Sequence, residues 1–114
     1  MSFQIDHQLD EDLVIIELKG YLERHGGDKL KELVLSKLAT GYRKFVLDLT
    51  GVQLINSQGL ASLLESAGQV VEEHDGSMAT FGCDKQTQAV LEMASFFYLA
   101  PEAEDLSEAK TLLD

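Results

Sequence analysis

The stretch Leu54-Ile55-Asn56-Ser57-Gln58-Gly59-Leu60 connects the two most clearly patterned segments of this 114-residue sequence. Before it, residues 45–49 (Phe-Val-Leu-Asp-Leu) form a short, nearly continuous apolar run, which is typical of a strand covered on both faces. After it, apolar residues at positions 60, 63, 64, 67 and 71 recur at helical spacing and form one stripe. The stretch is therefore predicted to lead from a buried strand into an amphipathic helix that begins at Asn56.

The first third of the chain has the pattern of two strands followed by a helix. Residues 3–9 and 13–18 are rich in β-branched and large apolar residues, and the polar run Asp10-Glu11-Asp12 between them predicts a hairpin turn. After Gly26-Gly27-Asp28, apolar residues at positions 30, 33, 34 and 38 predict a helix that ends at Gly41, with Asp28 near its positive start.

The last third continues the alternation of strands and helices. Gly76 is predicted to be the left-handed residue that ends the central helix. The remaining elements are predicted as a strand at 78–81, a helix at 86–94, a short edge strand at 96–99 stopped by Pro101, and a last helix capped by Asp105 and Glu108. This order predicts a single α/β domain over residues 1–114, with a mixed sheet of about four to five strands and about four helices packed against it.

Charge and composition exclude several classes of function. Against 9 Lys and Arg stand 20 Asp and Glu, and the formal net charge of -11 repels nucleic acid and anionic lipid. One cysteine and three scattered histidines do not make a metal site, and no motif indicates a cofactor. No apolar run approaches the roughly 18 residues of a membrane span, and the N-terminus has no signal-peptide pattern. A cytoplasmic protein without membrane insertion is expected.

Asn56 and Ser57 lie where a helix start needs hydrogen-bond acceptors. The simplest interpretation is that both are capping residues, because Asn and Ser accept hydrogen bonds from the unpaired N–H groups of a first turn. If Asn56 caps the helix, however, Ser57 keeps an uncommitted hydroxyl on the first turn, and Gln58-Gly59 leaves the surface around it approachable. Ser57 is therefore a candidate functional residue.

A phosphoryl group is the modification that this position suits best. It carries about -1.5 to -2 charges, which the positive end of a helix stabilises, so the fold should tolerate it. A partner packed closely on the same helix start would have to desolvate that charge. Phosphorylation of Ser57 would thus dissolve a complex without unfolding the domain.

Three segments of the sequence resemble the STAS domain of anti-sigma factor antagonists. They are Gly20-Tyr21-Leu22-Glu23, the run at 45–49, and Ile55-Asn56-Ser57-Gln58-Gly59-Leu60, which are similar to the family's Gly-x-Leu-Asp, strand, and Asp-Ser-Ser/Thr-Gly-Leu elements. The order of elements also agrees over nearly the whole chain. The resemblance implies a STAS fold and a non-enzymatic role in signal transduction and transcription regulation.

The resemblance also implies the partners of this chain and their contact surface. Ser57 would accept phosphate from a partner that is both serine kinase and anti-sigma factor and that holds the ATP; a serine phosphatase would reset the switch. The unphosphorylated form would bind the kinase and release a sigma factor for transcription. The implied contact residues are Asn56, Ser57, Gln58, Gly59 and Leu60, with Tyr21, Glu23 and His25 from the loop after the second strand.

Two positions depart from the family pattern and keep a second hypothesis open. Asn56 replaces the usual Asp, and Gln58 replaces the usual Ser or Thr after the acceptor. These changes favour a STAS adaptor, a fixed subunit of a transporter ATPase or a signalling assembly, in which Ser57 is only a cap. A weak homodimer is also left open, through an exposed fraction of the apolar run at 96–99.

A third hypothesis is a small hydrolase. Ser57, either His25 or His74, and Asp48 are the residue types of a catalytic triad. No Gly-x-Ser-x-Gly elbow surrounds Ser57, and Asp48 falls inside a strand pattern, where bonding to a neighbouring turn is its expected use. Enzymatic activity is therefore not expected, and Cys83 is interpreted as a small packed apolar group.

Overall fold

The computed structural model describes residues 2–113 and has the α/β architecture that the sequence predicts. The strands are β1 (Phe3–Asp10), β2 (Leu13–Leu22), β3 (Lys44–Ile55), β4 (Ser77–Phe81) and β5 (Glu102–Ala103). The helices are α1 (Arg24–Ala39), α2 (Ser57–Gly68), α3 (Lys85–Met93) and α4 (Leu106–Leu113). A π-helical segment (Gln69–Glu73) continues α2, and a 3-10 turn (Phe96–Tyr98) follows α3.

The five strands form one mixed sheet in the order β1-β2-β3-β4-β5. The predicted hairpin pairs β1 with β2 antiparallel, whereas β2, β3, β4 and β5 run parallel. Leu22 pairs with Ile55 in the last step of the β2–β3 ladder, so the chain leaves both strands at the same edge of the sheet. The connections into α1 and α2 therefore lie side by side.

The helices cover the two faces of the sheet unequally. Helices α1, α2 and α3 pack on one face, where Leu30, Val34, Leu63 and Leu91 belong to the larger buried cluster. Helix α4 covers the other face through a smaller cluster that includes Ala109 and Leu113. The two clusters lie on opposite faces of one sheet, so the described residues form a single α/β domain with helices on both faces.

Helix α1 begins at Arg24, earlier than the sequence predicts, so that Gly26 and Gly27 lie buried in its first turn. A Cβ on Gly26 would overlap the ring of Phe3, and one on Gly27 would overlap Ser62 on α2. Close packing against a strand and a second helix thus overrides the poor helix propensity of glycine. The predicted start after Gly27 was wrong for this reason.

Strand β3 continues through Thr50-Gly51, where the sequence predicts an end. Two register shifts against β2 let the longer strand follow its neighbour as far as Ile55. Asp48 stabilises β3 at the first of these register shifts, because its Oδ1 accepts a hydrogen bond from the backbone N–H of Thr50 at 3.0 Å. The sequence predicts a bond from Asp48 to a neighbouring turn or helix end, whereas the structure shows this bond within β3 itself.

The predicted edge strand at 96–99 is wrong. Ser95 adopts a left-handed conformation (φ 60°) after α3, and the chain turns into the 3-10 segment that buries Phe96 completely. The Phe96 and Phe97 rings pack edge to face, with centroids 6.0 Å apart. The edge strand forms instead just after Pro101, where the absence of a proline N–H does not interrupt the ladder.

Gly76 is not the left-handed residue after the central helix. Asp75 takes that conformation (φ 56°), whereas Gly76 lies so close to the carbonyl oxygen of Arg43 that a Cβ would collide with it. The central helix is also not α-helical throughout, because α2 ends at Gly68 and the π-helical segment continues to Glu73. Asp105 does cap α4, accepting from the N–H of Glu108 at 2.9 Å, as predicted.

The contact between Gly27 and Ser62 should be critical for stability. Gly27→Ala is expected to lower the free energy of unfolding by about 1–3 kcal/mol, because the new methyl group overlaps a buried side chain of the facing helix. The effect is measured by urea unfolding of Gly27→Ala, Ser62→Gly and the double variant. The double variant should lose less free energy of unfolding than the sum of the losses of the two single variants.

Gly68→Ala is the matched control, since a methyl group at this position would meet only the flexible Glu72 carboxylate, at 3.3 Å. This substitution should leave stability unchanged or raise it by up to about 1 kcal/mol. Additive effects of Gly27→Ala and Ser62→Gly would contradict the proposed contact.

Candidate partner-binding site

The candidate site is the edge of the sheet where β3 meets α2. Asn56 is the N-cap of α2, and its Oδ1 accepts a hydrogen bond from the N–H of Gly59 at 2.8 Å. Ser57 is the first residue of the helix and is exposed. Asn56 therefore caps the helix, and the hydroxyl of Ser57 lies on the surface.

The position of this helix start is set by a close contact with the end of β2. The carbonyl oxygen of Leu22 accepts a hydrogen bond from the N–H of Asn56 at 3.1 Å and also lies against Gly59. Any Cβ at Gly59 would overlap that oxygen, so only glycine fits. Gly59 is buried, which gives it a structural role beneath the exposed Ser57 and Gln58.

The starts of α1 and α2 are neighbours at this edge. Glu23 is the N-cap position of α1, but its carboxylate makes no capping hydrogen bond within the described residues. Neither helix has an acidic residue in its first turn. The positive ends of two helix dipoles thus meet beside Ser57, on a protein whose net charge is -11.

The other predicted contact residues surround the same helix start. His25 is exposed on the first turn of α1, while Tyr21 and Glu23 are half-buried at the end of β2. Leu60 is half-buried on the first turn of α2 and packs against the larger core cluster. The structure therefore brings the two predicted segments together through the parallel pairing of β2 with β3.

The sequence analysis missed part of this edge. Leu54 is 42% exposed, and with Gln86 and Val90 of α3 it lines a small depression of about 40 Å³. Asp84 caps α3, accepting from the N–H of Thr87 at 2.7 Å; this hydrogen bond lowers the pKa of the Asp84 carboxyl. The sequence could have indicated that this segment belongs to the site, because the carboxyl ends of parallel strands always share one edge of a sheet.

The residues considered for a hydrolase do not form a triad. The Asp48 carboxylate accepts a hydrogen bond from the N–H of Thr50 within β3, as described above. His74 follows the π-helical segment and bonds through Nδ1 to the carbonyl oxygen of Gln69 at 2.8 Å. This places His74 at the end of the helix opposite Ser57, roughly 20–25 Å away by helical rise.

Within residues 2–113 the structure contains no group of three or more His, Cys, Asp or Glu side chains that could hold a metal ion. In the same range no helix is long and apolar enough to cross a bilayer. Cys83 is half-buried after β4, and burial raises the pKa of its thiol to about 12, with Glu102 and Asp84 adding to the shift.

Comparison with known proteins identifies the family. The family model of the STAS domain matches residues 4–109, which is nearly the whole chain. The chain belongs to the STAS domain family, and the resemblance drawn from its sequence is confirmed.

Solved structures with this fold come from proteins of different function. An anti-sigma factor antagonist from Mycobacterium paratuberculosis superimposes with a TM-score of 0.83 at 17% identity, over 98% of this chain and 94% of that one. The Bacillus cell fate determinant SpoIIAA in its phosphorylated form gives 0.73 at 16% identity, over 99% and 100%. A sulfate transporter family protein from Wolinella succinogenes gives 0.77 at 16% identity, over 93% and 88%. These similarities establish a shared fold.

The capping role of Asn56 can be tested directly. Asn56→Ala should lower the free energy of unfolding by about 1 kcal/mol, because the N–H of Gly59 loses its acceptor. Asn56→Asp keeps an acceptor and adds negative charge at the positive helix end, so at neutral pH it should be at least as stable as wild type. Urea unfolding checks both; equal destabilisation by Ala and Asp would contradict the assignment.

The thiol of Cys83 should react slowly. Burial disfavours its thiolate, so at about pH 8 iodoacetamide should alkylate the folded protein at least about 50-fold more slowly than the urea-unfolded protein. Because the folded state holds the proton more tightly, this group stabilises the fold below the ordinary cysteine pKa, and the contribution is lost as pH rises towards about 12. Mass spectrometry measures the rates; similar rates in both states would show an accessible thiolate.

Proposed function

We propose that this chain is a cytoplasmic anti-sigma factor antagonist that acts as a phosphorylation-controlled switch. Unphosphorylated, it binds a serine kinase that is also an anti-sigma factor, and this binding frees the sigma factor for transcription. The kinase transfers phosphate from its own ATP to Ser57, and the complex dissociates. A serine phosphatase restores the binding form.

The observation that supports this proposal most is the exposed hydroxyl of Ser57 on the first turn of α2. The helix start does not need this hydroxyl, because Asn56 already supplies the cap to Gly59. A kinase can therefore reach Ser57 without opening the fold. The phosphorylated form of SpoIIAA is a protein of the same fold, which supports the same modification in this chain.

The surrounding charges support the second half of the switch. The positive starts of α1 and α2, with Arg24 exposed on the first turn of α1, can stabilise a phosphate on Ser57. The modified domain should therefore stay folded. A partner docked over the same first turns would have to bury the dianion, and its loss of affinity would release the complex.

Phosphate transfer tests the modified residue. The protein is incubated with ATP and a serine kinase encoded beside it in the genome, and added phosphate is measured by intact mass. We expect labelling of wild type and none of Ser57→Ala. Ser107→Ala is the matched control, because Ser107 is also an exposed serine in the first turn of a capped helix, α4. Equal labelling of Ser57→Ala would remove Ser57 from the mechanism.

Binding to the same kinase tests the release step. Ser57→Asp should weaken the complex at least about tenfold, or about 1.4 kcal/mol, in isothermal titration, whereas Ser107→Asp should not change it. Both variants should unfold at the temperature of wild type. A Ser57→Asp protein that binds as tightly as wild type would contradict charge-controlled release.

Gln58 and Asn56 favour one alternative, a STAS adaptor that is a fixed subunit of a transporter ATPase or signalling assembly. In that case Ser57 would receive no phosphate, and the assembly would tolerate Ser57→Asp. The shared fold of the Wolinella sulfate transporter family protein is compatible with this alternative. Restoring the family residues, as Asn56→Asp with Gln58→Ser, separates the two: a gain of labelling would show that the local sequence limits phosphorylation.

A further inference from the structure

A groove separates α1 from the second half of α2 and its π-helical continuation. The two helices touch where Gly27 meets Ser62, and beyond that crossing the space between them forms a groove of about 730 Å³. Residues 28–35 line one wall and residues 64–73 the other. Each wall is thus roughly two to three helical turns long, the length of a short helical segment.

The groove has an apolar floor and an acidic margin. Leu35 and Leu64 supply the accessible apolar surface, and Leu35 is 47% exposed; Val34 also lines the groove but is itself fully buried. The lining carboxylates are Asp28, Glu32, Glu65, Glu72 and Glu73. Lys31 is the one cation among the described residues that line the groove, so the site is strongly negative even after this lysine is counted.

A buried hydroxyl at the groove has no partner. Ser66 lies one turn after Ser62 on the same side of α2, so it faces α1 at the bottom of the groove. The residue is only 1% exposed, and its Oγ forms no hydrogen bond within residues 2–113. A buried polar atom left in this state is destabilising, and it marks a place where a bound group would supply the missing partner.

Lys31 bridges the groove in the free protein. Its Nζ lies 3.2 Å from Oε2 of Glu65 on the opposite wall and 3.7 Å from Oδ1 of Asp28 on its own helix. This arrangement shows that a cation held between the two walls is already favoured by the carboxylates. The hydrogen bond to Glu65 raises the pKa of Lys31, so the lysine is charged at neutral pH.

We propose that this groove is a second docking surface, which binds a short basic amphipathic helix of a protein partner. The apolar side of that helix would cover Leu35 and Leu64, and its lysines or arginines would face the acidic margin. A group at its centre would bond to the Oγ of Ser66, which requires the side chains that now cover this atom to move on binding. The length of the walls, the apolar floor and the charge together select this occupant over an acidic or uniformly polar one.

The groove is separate from the site around Ser57. Its closest residues on α2, Leu64 and Glu65, lie seven and eight positions after Ser57, and Glu73 lies beyond the far end of the helix. A partner could therefore occupy the groove whatever the state of Ser57. The surface does not depend on the proposed phosphorylation switch.

A defined peptide tests the proposal. The probe is a fluorescein-labelled peptide of about four helical turns, made of leucine and lysine at amphipathic spacing, with a scrambled peptide of equal composition as its control. Fluorescence anisotropy at near-physiological ionic strength should show binding of the amphipathic peptide only. Amide resonances of residues 28–35 and 64–73 should shift in NMR spectra.

Charge reversal at the groove should abolish most of this affinity. Glu72→Lys/Glu73→Lys should weaken binding at least about tenfold, and the fold should tolerate it because lysine suits the negative end of a helix. The matched control is Glu92→Lys/Glu104→Lys, which changes net charge equally at exposed positions outside the groove. If both double variants weakened binding equally, or if the resonance shifts lay mainly outside the groove, the peptide would be bound only by the net negative charge of the protein. Either result would overturn the proposal.

Ser66→Ala separates a binding role from a structural one. Removal of an unpartnered hydroxyl should leave thermal stability unchanged or raised, while peptide affinity should fall about threefold or more. Leu35→Ser should also weaken the peptide without unfolding the domain, because Leu35 is already half exposed. Unchanged affinity in both variants would overturn the contacts assigned to the floor.

Discussion

The carbonyl oxygen of Leu22 holds the candidate site in place. It accepts the N–H of Asn56 and at the same time lies against Gly59, so the end of β2 and the start of α2 cannot move apart independently. Asn56 then completes the helix start by capping Gly59. Because these contacts use backbone atoms and the side chain of Asn56, the start of the helix does not depend on the hydroxyl of Ser57.

The same junction explains the local electrostatics. Parallel pairing of β2 with β3 as far as Leu22 and Ile55 brings the starts of α1 and α2 to one edge, and neither first turn contains an acidic residue. The starts of α1 and α2 thus place two positive helix ends side by side on an acidic protein. In the proposed switch, the fold would tolerate a dianion at this place, whereas a tightly docked partner would have to bury its charge.

At the other end of the helix pair, close contact gives way to a gap. Gly27 allows α1 to touch α2 at Ser62, whereas further along a groove lies between α1 and the second half of α2 with its π-helical continuation. The domain therefore offers two surfaces of opposite character on one pair of helices. One is the polar edge at the starts of α1 and α2, where Ser57 and His25 are exposed; the other is an acidic groove with an apolar floor.

The sequence by itself determined the element types, the STAS family and the place of Ser57, because apolar periodicity and capping residues act over a few neighbouring positions. It did not determine where α1 begins, how far β3 runs, or that residues 96–99 leave the sheet. Those outcomes depend on Gly27 against Ser62, on the register of β3 with β2, and on burial of Phe96. The groove and the meeting of two helix starts were likewise decided only by the tertiary structure, since they require residues distant in sequence to pack against each other.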